Sequence, residues 1–404
     1  MRPVAPAAVP LRRNRDFNLL WIGQVVSDVG TRISGIAFPL LVLATTGSPA
    51  KAGLVEFAAS IPLLVLTLPA GALVDRWDRK RLMVVCDAIR ALAYGSLAAA
   101  LALGQVWFGQ VLAVALVDGC GYVFFSVAER SALRHVVADE QLPSALARNQ
   151  ARSFGALLAG QPLGGILFAL GRVVPFLFDA VSYLLSVGSL LLLRTRLQGE
   201  RIVERRRLVH EVREGLVWFW RQPFLRTTSL LLTGSDLVAN ALFLVVIVLA
   251  RERGASPALI GAMFAFLGVG GLLGSVLAPR LSRRLSTRVV VVATMWVVTG
   301  LVPLLFLPGT ITPGIVYGAM FVLHPTWNAV VAAQRLRLTP DELLGRVQSV
   351  ATLLSLGSVP FAFLLVGFLL QAFGTTPSVL ALLGVMAVVA VAAFVSPAIR
   401  SAPD

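Results

Sequence analysis

Two acidic residues stand where acids are costly. Asp28 lies about eleven residues into the apolar stretch 17–45, or roughly 16 Å deep at about 1.5 Å per residue. A charge at that depth costs about 2.5–3.5 kcal/mol on insertion scales, so it ordinarily has a task. A carboxylate in such a segment can take up and release a proton, or it can hold a cation. Arg32 follows four residues later on the same helix face, a spacing at which opposite charges pair. Asp236 occupies a similar position in the stretch 226–250, with Asn240 four residues on. The expectation is that Asp28 and Asp236 couple to protons or recognise a cation, with Arg32 tuning Asp28. The alternative is a structural pair that fixes helix packing.

Other charged positions rank below these. Asp118 falls mid-stretch in 107–128 and is a candidate to line a substrate cavity. Glu56 and Asp179 are expected near solvent, in the outer thirds of their segments. Asp87 and Arg90 are expected near the inner end of theirs, supporting a charged loop. His324 has a side chain that titrates near neutral pH. Pro325 follows it, and a packing role is equally open.

The elements that must position these residues follow from composition. The chain has 404 residues, 57% hydrophobic and 14% charged, whereas soluble domains carry about 25% charged residues. A span needs roughly 20 apolar residues. Twelve candidates fit: 17–45, 52–74, 82–103, 107–128, 146–170, 173–194, 226–250, 257–279, 288–308, 312–333, 346–372 and 376–398. The predicted fold class is an all-α membrane protein of twelve transmembrane helices in two six-helix halves. The expected organisation is an N-terminal tail (1–16), a first half (17–194), a basic linker (195–225), a second half (226–398) and a short tail (399–404).

The net charge of +15 is distributed as a membrane topology signal. With both termini placed in the cytoplasm, the Lys and Arg residues expected outside are Lys51, Arg172, Arg251 and Arg253. Arg32 and Arg90 fall within helices, and the rest lie on the inner side. That asymmetry is the positive-inside pattern, and it argues against nucleic acid as a partner. Cys86 and Cys120 have neither disulfide nor metal spacing. The first sixteen residues lack an apolar core, so no cleavable signal peptide is expected. In the linker, Leu208, Val212, Leu216 and Phe219 repeat at helical spacing, which fits an amphipathic helix on the membrane face; a flexible linker joining the halves is the other reading.

Between the second and third stretches lies a dense charged block, Asp75-Arg76-Trp77-Asp78-Arg79-Lys80-Arg81, which must be a short turn outside lipid. Gly71–Arg81 aligns without gaps to Ser275–Leu285. Arg76, Arg79 and Lys80 meet Arg280, Arg283 and Arg284, while Asp75 meets Pro279. Asp139-Glu140…Arg148-Asn149-Gln150 is echoed by Asp341-Glu342…Arg346-Val347-Gln348, and Ser27-Asp28 by Ser235-Asp236. Three echoes at nearly one spacing indicate a duplicated six-span unit.

These features resemble the major facilitator superfamily over almost the whole chain. The resemblance rests on six plus six spans, the central basic linker and a loop motif fitted by Gly71, Leu73, Asp75, Arg76, Arg79, Lys80 and Leu82 or Met83. Asp78 stands where that motif commonly has Gly. That departure, with Ser48-Pro49 and Pro340-Asp341-Glu342, is similar to the macrolide-efflux and enterobactin-exporter branch. Gly160-Gln161-Pro162-Leu163-Gly164-Gly165 resembles the superfamily's antiporter motif, with Pro one position late. An ordinary packing seam is the other reading of those glycines.

The resemblance implies roles for these residues. Asp75, close to the start of span eleven around Gly345-Arg346, would latch the halves in the outward-facing state; the other reading is that these charges only fix topology. Arg79 would pair with an acid at the end of span four, for which Glu129 is the candidate. A carboxylate beside a helix N-terminus gains roughly 0.3–1 kcal/mol. The implied function is secondary export of a hydrophobic or amphipathic small molecule by proton antiport with alternating access. The expected site is the plasma membrane of a bacterium, with the protein functional as a monomer. A siderophore or endogenous-metabolite exporter, a proton symporter and a non-transporting sensor are the rivals. No cofactor or metal is expected. No phosphate-cradling G-x-x-x-x-G-K-[ST] loop, zinc-helix spacing or nucleophile elbow occurs, so enzyme classes are disfavoured.

Overall fold

The computed structural model describes residues 10–198 and 216–401. Among these residues, twelve helical segments are long and apolar enough to cross a membrane. The first six helices are Arg15–Thr46, Pro49–Val74, Arg79–Ala102, Phe108–Val136, Leu142–Leu170 and Val174–Leu191. Spans seven, eleven and twelve are single helices, Pro223–Glu252, Leu344–Phe373 and Thr375–Val395. The predicted linker helix falls largely outside the described residues, and 216–221 are helical.

Three spans depart from the expected boundaries. Span four continues to Val136, about two turns past the point where Glu129 and Arg130 end the apolar run. Span eight is Pro257–Met263 followed by Ala265–Arg284, so the second copy of the charged loop stays helical through Arg284. Ser286 then caps the next helix by accepting from the Val289 N–H. Span ten is broken at 321–323 into Thr312–Met320 and His324–Leu338. Gly318 lies at this break, where a Cβ would come within 2.6 Å of the Phe266 carbonyl carbon. The backbones of spans eight and ten therefore meet there without intervening side chains.

The spans are amphipathic in the reverse sense to a soluble helix. Span three buries Asp87, Arg90 and Tyr94 while Val85, Ile89 and Leu92 are exposed. Span six buries Asp179, Ser182, Tyr183 and Ser186 and exposes Leu177, Val181, Leu184 and Leu185. Apolar side chains facing outward suit lipid, while polar groups directed inward satisfy one another. Asp179, expected near solvent, is fully buried. One oxygen accepts from Ser182 on the same helix and the other from Ser34 on span one, which only the folded bundle brings to it.

The chain divides into two compact units. One comprises residues 1–37 and 61–202, and the other 38–60 and 203–404. In the first unit, Asp16 at the start of span one accepts from the Thr195 N–H (2.7 Å) and hydroxyl (2.5 Å) and the Arg194 N–H (3.1 Å). Asn14 donates to the Val136 carbonyl at 2.8 Å. These bonds tie together the ends of spans one, four and six. In the second unit, the Tyr317 hydroxyl donates to the Ala239 carbonyl at 3.0 Å. Phe243, Phe264, Tyr317 and Phe321 form a run of ring contacts with centroids 4.7–5.8 Å apart.

Candidate functional site

Three charged side chains of the first unit, from three spans, converge at Arg152. Arg152, on span five, donates to Glu129 on span four through both terminal nitrogens, Nη1 to Oε1 at 2.7 Å and Nη2 to Oε2 at 3.3 Å. Its Nε stands 2.8 Å from Oδ2 of Asp28 on span one. That second contact is an ion pair without an aligned hydrogen bond. One guanidinium thus serves two carboxylates from two other helices.

Packing explains how Arg152 reaches so deep. Arg152, Ala156, Gly160 and Gly164 recur every four residues and are all buried, so they form one stripe along span five. A Cβ on Gly164 would lie 2.7 Å from the Ile33 carbonyl oxygen, and one on Gly160 3.1 Å from that of Val29. Span five therefore lies directly on the backbone of span one. The same stripe carries Arg152 onto Asp28.

A second cluster sits behind the first. Arg90 reaches Asp118 with Nε at 2.8 Å and Nη2 at 2.7 Å, and lies 3.6 Å from Asp87. Its guanidinium carbon is 4.1 Å from the ring centre of Tyr183, a cation–π geometry. The Tyr183 hydroxyl donates to Asp118 at 3.2 Å. Ser186 donates to Asp87 at 2.5 Å, and Gln24 donates to Ser186 at 2.8 Å. Asp179 accepts from Ser34 at 2.5 Å and Ser182 at 3.0 Å.

A hollow of about 320 Å³ opens on the first cluster. Its lining includes Asp28, Glu129 and Arg152, with Arg90 at its back and Tyr122 and Phe125 among its aromatic walls. It extends toward the junction of spans four and five at Arg130, Asn149 and Gln150. This arrangement can hold a compact charged group among carboxylates, with apolar surface beside it for a hydrophobic body. A larger hollow of about 600 Å³ lies in the second unit at Ser282–Thr287. It is lined by Arg283, Arg284 and Arg337 and by no carboxylate.

The charged turn after span two has its own bonding. Asp78 caps span three by accepting from the Arg81 N–H at 2.8 Å, which gives its carboxylate a use where the loop motif commonly has Gly. Lys80 donates to the Leu191 and Leu193 carbonyls at 3.1 and 2.7 Å, at the C-terminus of span six, where a cation is favoured. Arg79 pairs with Asp75 at 3.4 Å and donates to the Leu197 carbonyl at 3.2 Å. Trp77 stacks on Phe124 at 6.3 Å.

Comparison with known proteins settles the family. Residues 5–402 match the family described as transmembrane secretion effector. The chain is a member of the major facilitator superfamily. It is 29% identical to the multidrug efflux pump Tap of Mycolicibacterium fortuitum, over 95% of this chain and 96% of that one. It is 24% identical to the macrolide efflux protein A of Streptococcus pyogenes over half of each chain. Its fold matches the crystal structure of a point mutant of the nucleoside transporter NupG with a TM-score of 0.76 at 13% identity, covering 94% of this chain and all of that one. The protein is thus a transporter of small molecules and not an enzyme.

In this transporter the sequence-selected residues separate. Asp28 lines the hollow, but its partner is Arg152 and not Arg32, whose side chain is exposed. Gly160 brings span five against the Arg32 Cβ. Glu129 does not pair with Arg79. It lies inside span four, where Arg152 takes both its oxygens. Asp87 and Arg90 do not support the turn but form the core of the second cluster with Asp118. Asp118 stands behind Arg90 and is absent from the lining of the hollow.

In the second unit, Asp236 accepts from the Ser355 hydroxyl, and Asn240 donates to the Asp236 carbonyl at 2.7 Å. His324 opens the second part of span ten with Asn328 at 3.3 Å. Arg152 is the residue that sequence reasoning missed. It counts among inner-side charges near the start of span five. The signal was its register with Gly160 and Gly164.

Proposed function

We propose that this transporter exports a hydrophobic or amphipathic small molecule, a drug or natural product, in exchange for protons by alternating access. The observation that carries the reading is the sharing of Arg152 between Asp28 and Glu129 in an open hollow. Two carboxylates meet the one guanidinium of Arg152, so at this point of the hollow an acid can accept a proton or a substrate cation while the other keeps Arg152 paired. The similarity to proteins named as multidrug and macrolide efflux pumps supports a drug-like cargo. At about 2.3 kcal/mol per charge per 100 mV, one proton moving inward supports a concentration ratio of roughly fifty-fold. Asp75 is the proposed conformational latch, and Asp236 a second coupling or recognition carboxylate. The working location is a bacterial plasma membrane with both termini in the cytoplasm.

The siderophore reading draws on the basic lining. Arg90 and Arg152, however, are already engaged by acids, which favours the drug reading. Movement of a compound panel into everted vesicles, with and without a pH gradient, tests the proposal. Gradient-driven accumulation of amphipathic compounds is expected, and gradient-independent movement of every compound would rule out proton exchange.

A further inference from the structure

We propose that Arg152 is a built-in competitor for the substrate, so that an amphipathic organic cation binds by taking its place on Asp28. The inference rests on the export reading only in taking the hollow as the place where solute binds.

The two arms of Arg152 are unequal. Its fork on Glu129 is a pair of aligned hydrogen bonds at 2.7 and 3.3 Å. Such bidentate bonds are the strong form of this contact. Its contact with Asp28 is a close ion pair at 2.8 Å, but Arg152 Nε and Asp28 Oδ2 have no aligned hydrogen bond. The Asp28 side chain is 27% exposed, against 12% for Glu129 and 6% for Arg152. A cation entering the hollow therefore meets Asp28 first, and Asp28 is the arm that yields. Glu129 then keeps Arg152 charged and satisfied while Asp28 turns to the guest. Tyr122, Phe125 and Leu146 supply the surface for the guest's apolar body.

The charged and titratable groups around this exchange come from every packed element. They are Asp28 and Arg32 on span one, Asp87 and Arg90 on span three, and Asp118, Glu129 and Arg130 on span four. Tyr94 on span three, Tyr122 on span four, Arg152 on span five and Asp179 and Tyr183 on span six are the others. Asp87, Asp118 and Asp179 are occupied by Arg90 or by serine hydroxyls. Asp28 and Glu129 are thus the acids whose partner a guest cation can change.

The probe is tetraphenylphosphonium, which carries a fixed charge and no proton. Its binding to the purified full chain in nanodiscs is measured by equilibrium dialysis at one pH. Arg152→Gln removes the competitor and is expected to tighten binding about tenfold. Glu129→Gln leaves Arg152 with Asp28 alone and is expected to weaken binding about tenfold. Asp28→Asn abolishes binding. Neutral triphenylphosphine oxide is unaffected by all three. A merely structural Arg152 would make both of the first two variants weaker, and that result overturns the proposal. Should Arg152→Gln fail to fold, Arg152→Lys, which keeps a cation for Glu129 but lacks the Nε that faces Asp28, is measured in its place: unchanged or weaker phosphonium binding overturns the proposal. If these affinities shift as stated but vesicles move no compound under a gradient, the exchange reading fails and the competitor role stands. If compounds move but phosphonium binding ignores Arg152 and Glu129, the competitor role alone fails.

Discussion

Gly164 lies so close to Ile33 that a Cβ on the glycine would stand 2.7 Å from the isoleucine carbonyl oxygen and 3.0 Å from its Cα. Neither atom belongs to a side chain that can swing aside. Gly164→Ala must therefore push span five away from span one, and Arg152 away from Asp28. Transport is expected to fall at least tenfold, with the protein still inserted and monodisperse by fluorescence-detected gel filtration. Gly155→Ala, on an exposed face with nothing within 4 Å of its Cβ, should transport normally. Equal activity of the two variants would sink this account of the motif.

Asp28 is the carboxylate proposed to carry coupling. Asp28→Asn is expected to insert normally and to lose the stimulation of transport by a pH gradient. The measurement is flux of a neutral amphipathic substrate in proteoliposomes with the gradient imposed and then collapsed by an ionophore. Flux that keeps its full gradient dependence would remove Asp28 from the coupling step.

In the turn after span two, stability and transport should separate by residue. Asp78→Ala removes the cap of span three and is expected to cost about 1 kcal/mol, read as a lower midpoint of thermal unfolding in detergent. Lys80→Ala strips the cation from the end of span six and should cost about 0.5–1 kcal/mol. Asp75 has an exposed side chain, 71% accessible, with Arg79 at 3.4 Å. Asp75→Asn should therefore keep its unfolding midpoint while transport drops. Wild-type transport by Asp75→Asn would rule out the latch.

Arg90 is 2% exposed and faces Asp118 and Asp87. Arg90→Gln leaves those acids buried without their cation. The expected cost is about 3 kcal/mol, the scale seen when one member of a buried pair is removed. Thermal unfolding in detergent provides the check, and a midpoint equal to wild type would show that the cluster is not structural. Double substitution of Arg90 and Asp118 to apolar residues should recover part of the loss.

Much of the fold was legible because lipid imposes a severe rule: a span must be apolar, long and helical. Apolar runs and charge asymmetry therefore disclosed twelve spans. Boundaries failed where polar residues continue inside a helix. Glu129 and Arg130 looked like the end of span four, but the helix proceeds to Val136 because Arg152 satisfies Glu129 within the bundle. The place of Asp28 along span one was readable, since position is counted along one helix. Its partner was not. Spacing offered Arg32, the neighbour on the same helix, while the fold supplied Arg152 from another.

The sequence by itself determined the class of molecule, the number of spans, the duplicated loop and the acids placed at depth. Each is a property of one segment, or of two segments compared as text. Only the tertiary structure decided which acid meets which base. Asp28 and Glu129 share Arg152, and Asp118 takes Arg90, because side-chain pairing across helices depends on how closely backbones approach. That distance is set by glycines such as Gly160 and Gly164, whose effect appears only when the facing helix is in place. The charged turn divides in the same way. Its place outside lipid was written in its composition. Its cap on span three is local, but its bond to the end of span six exists only because the folded bundle brings that end beside it.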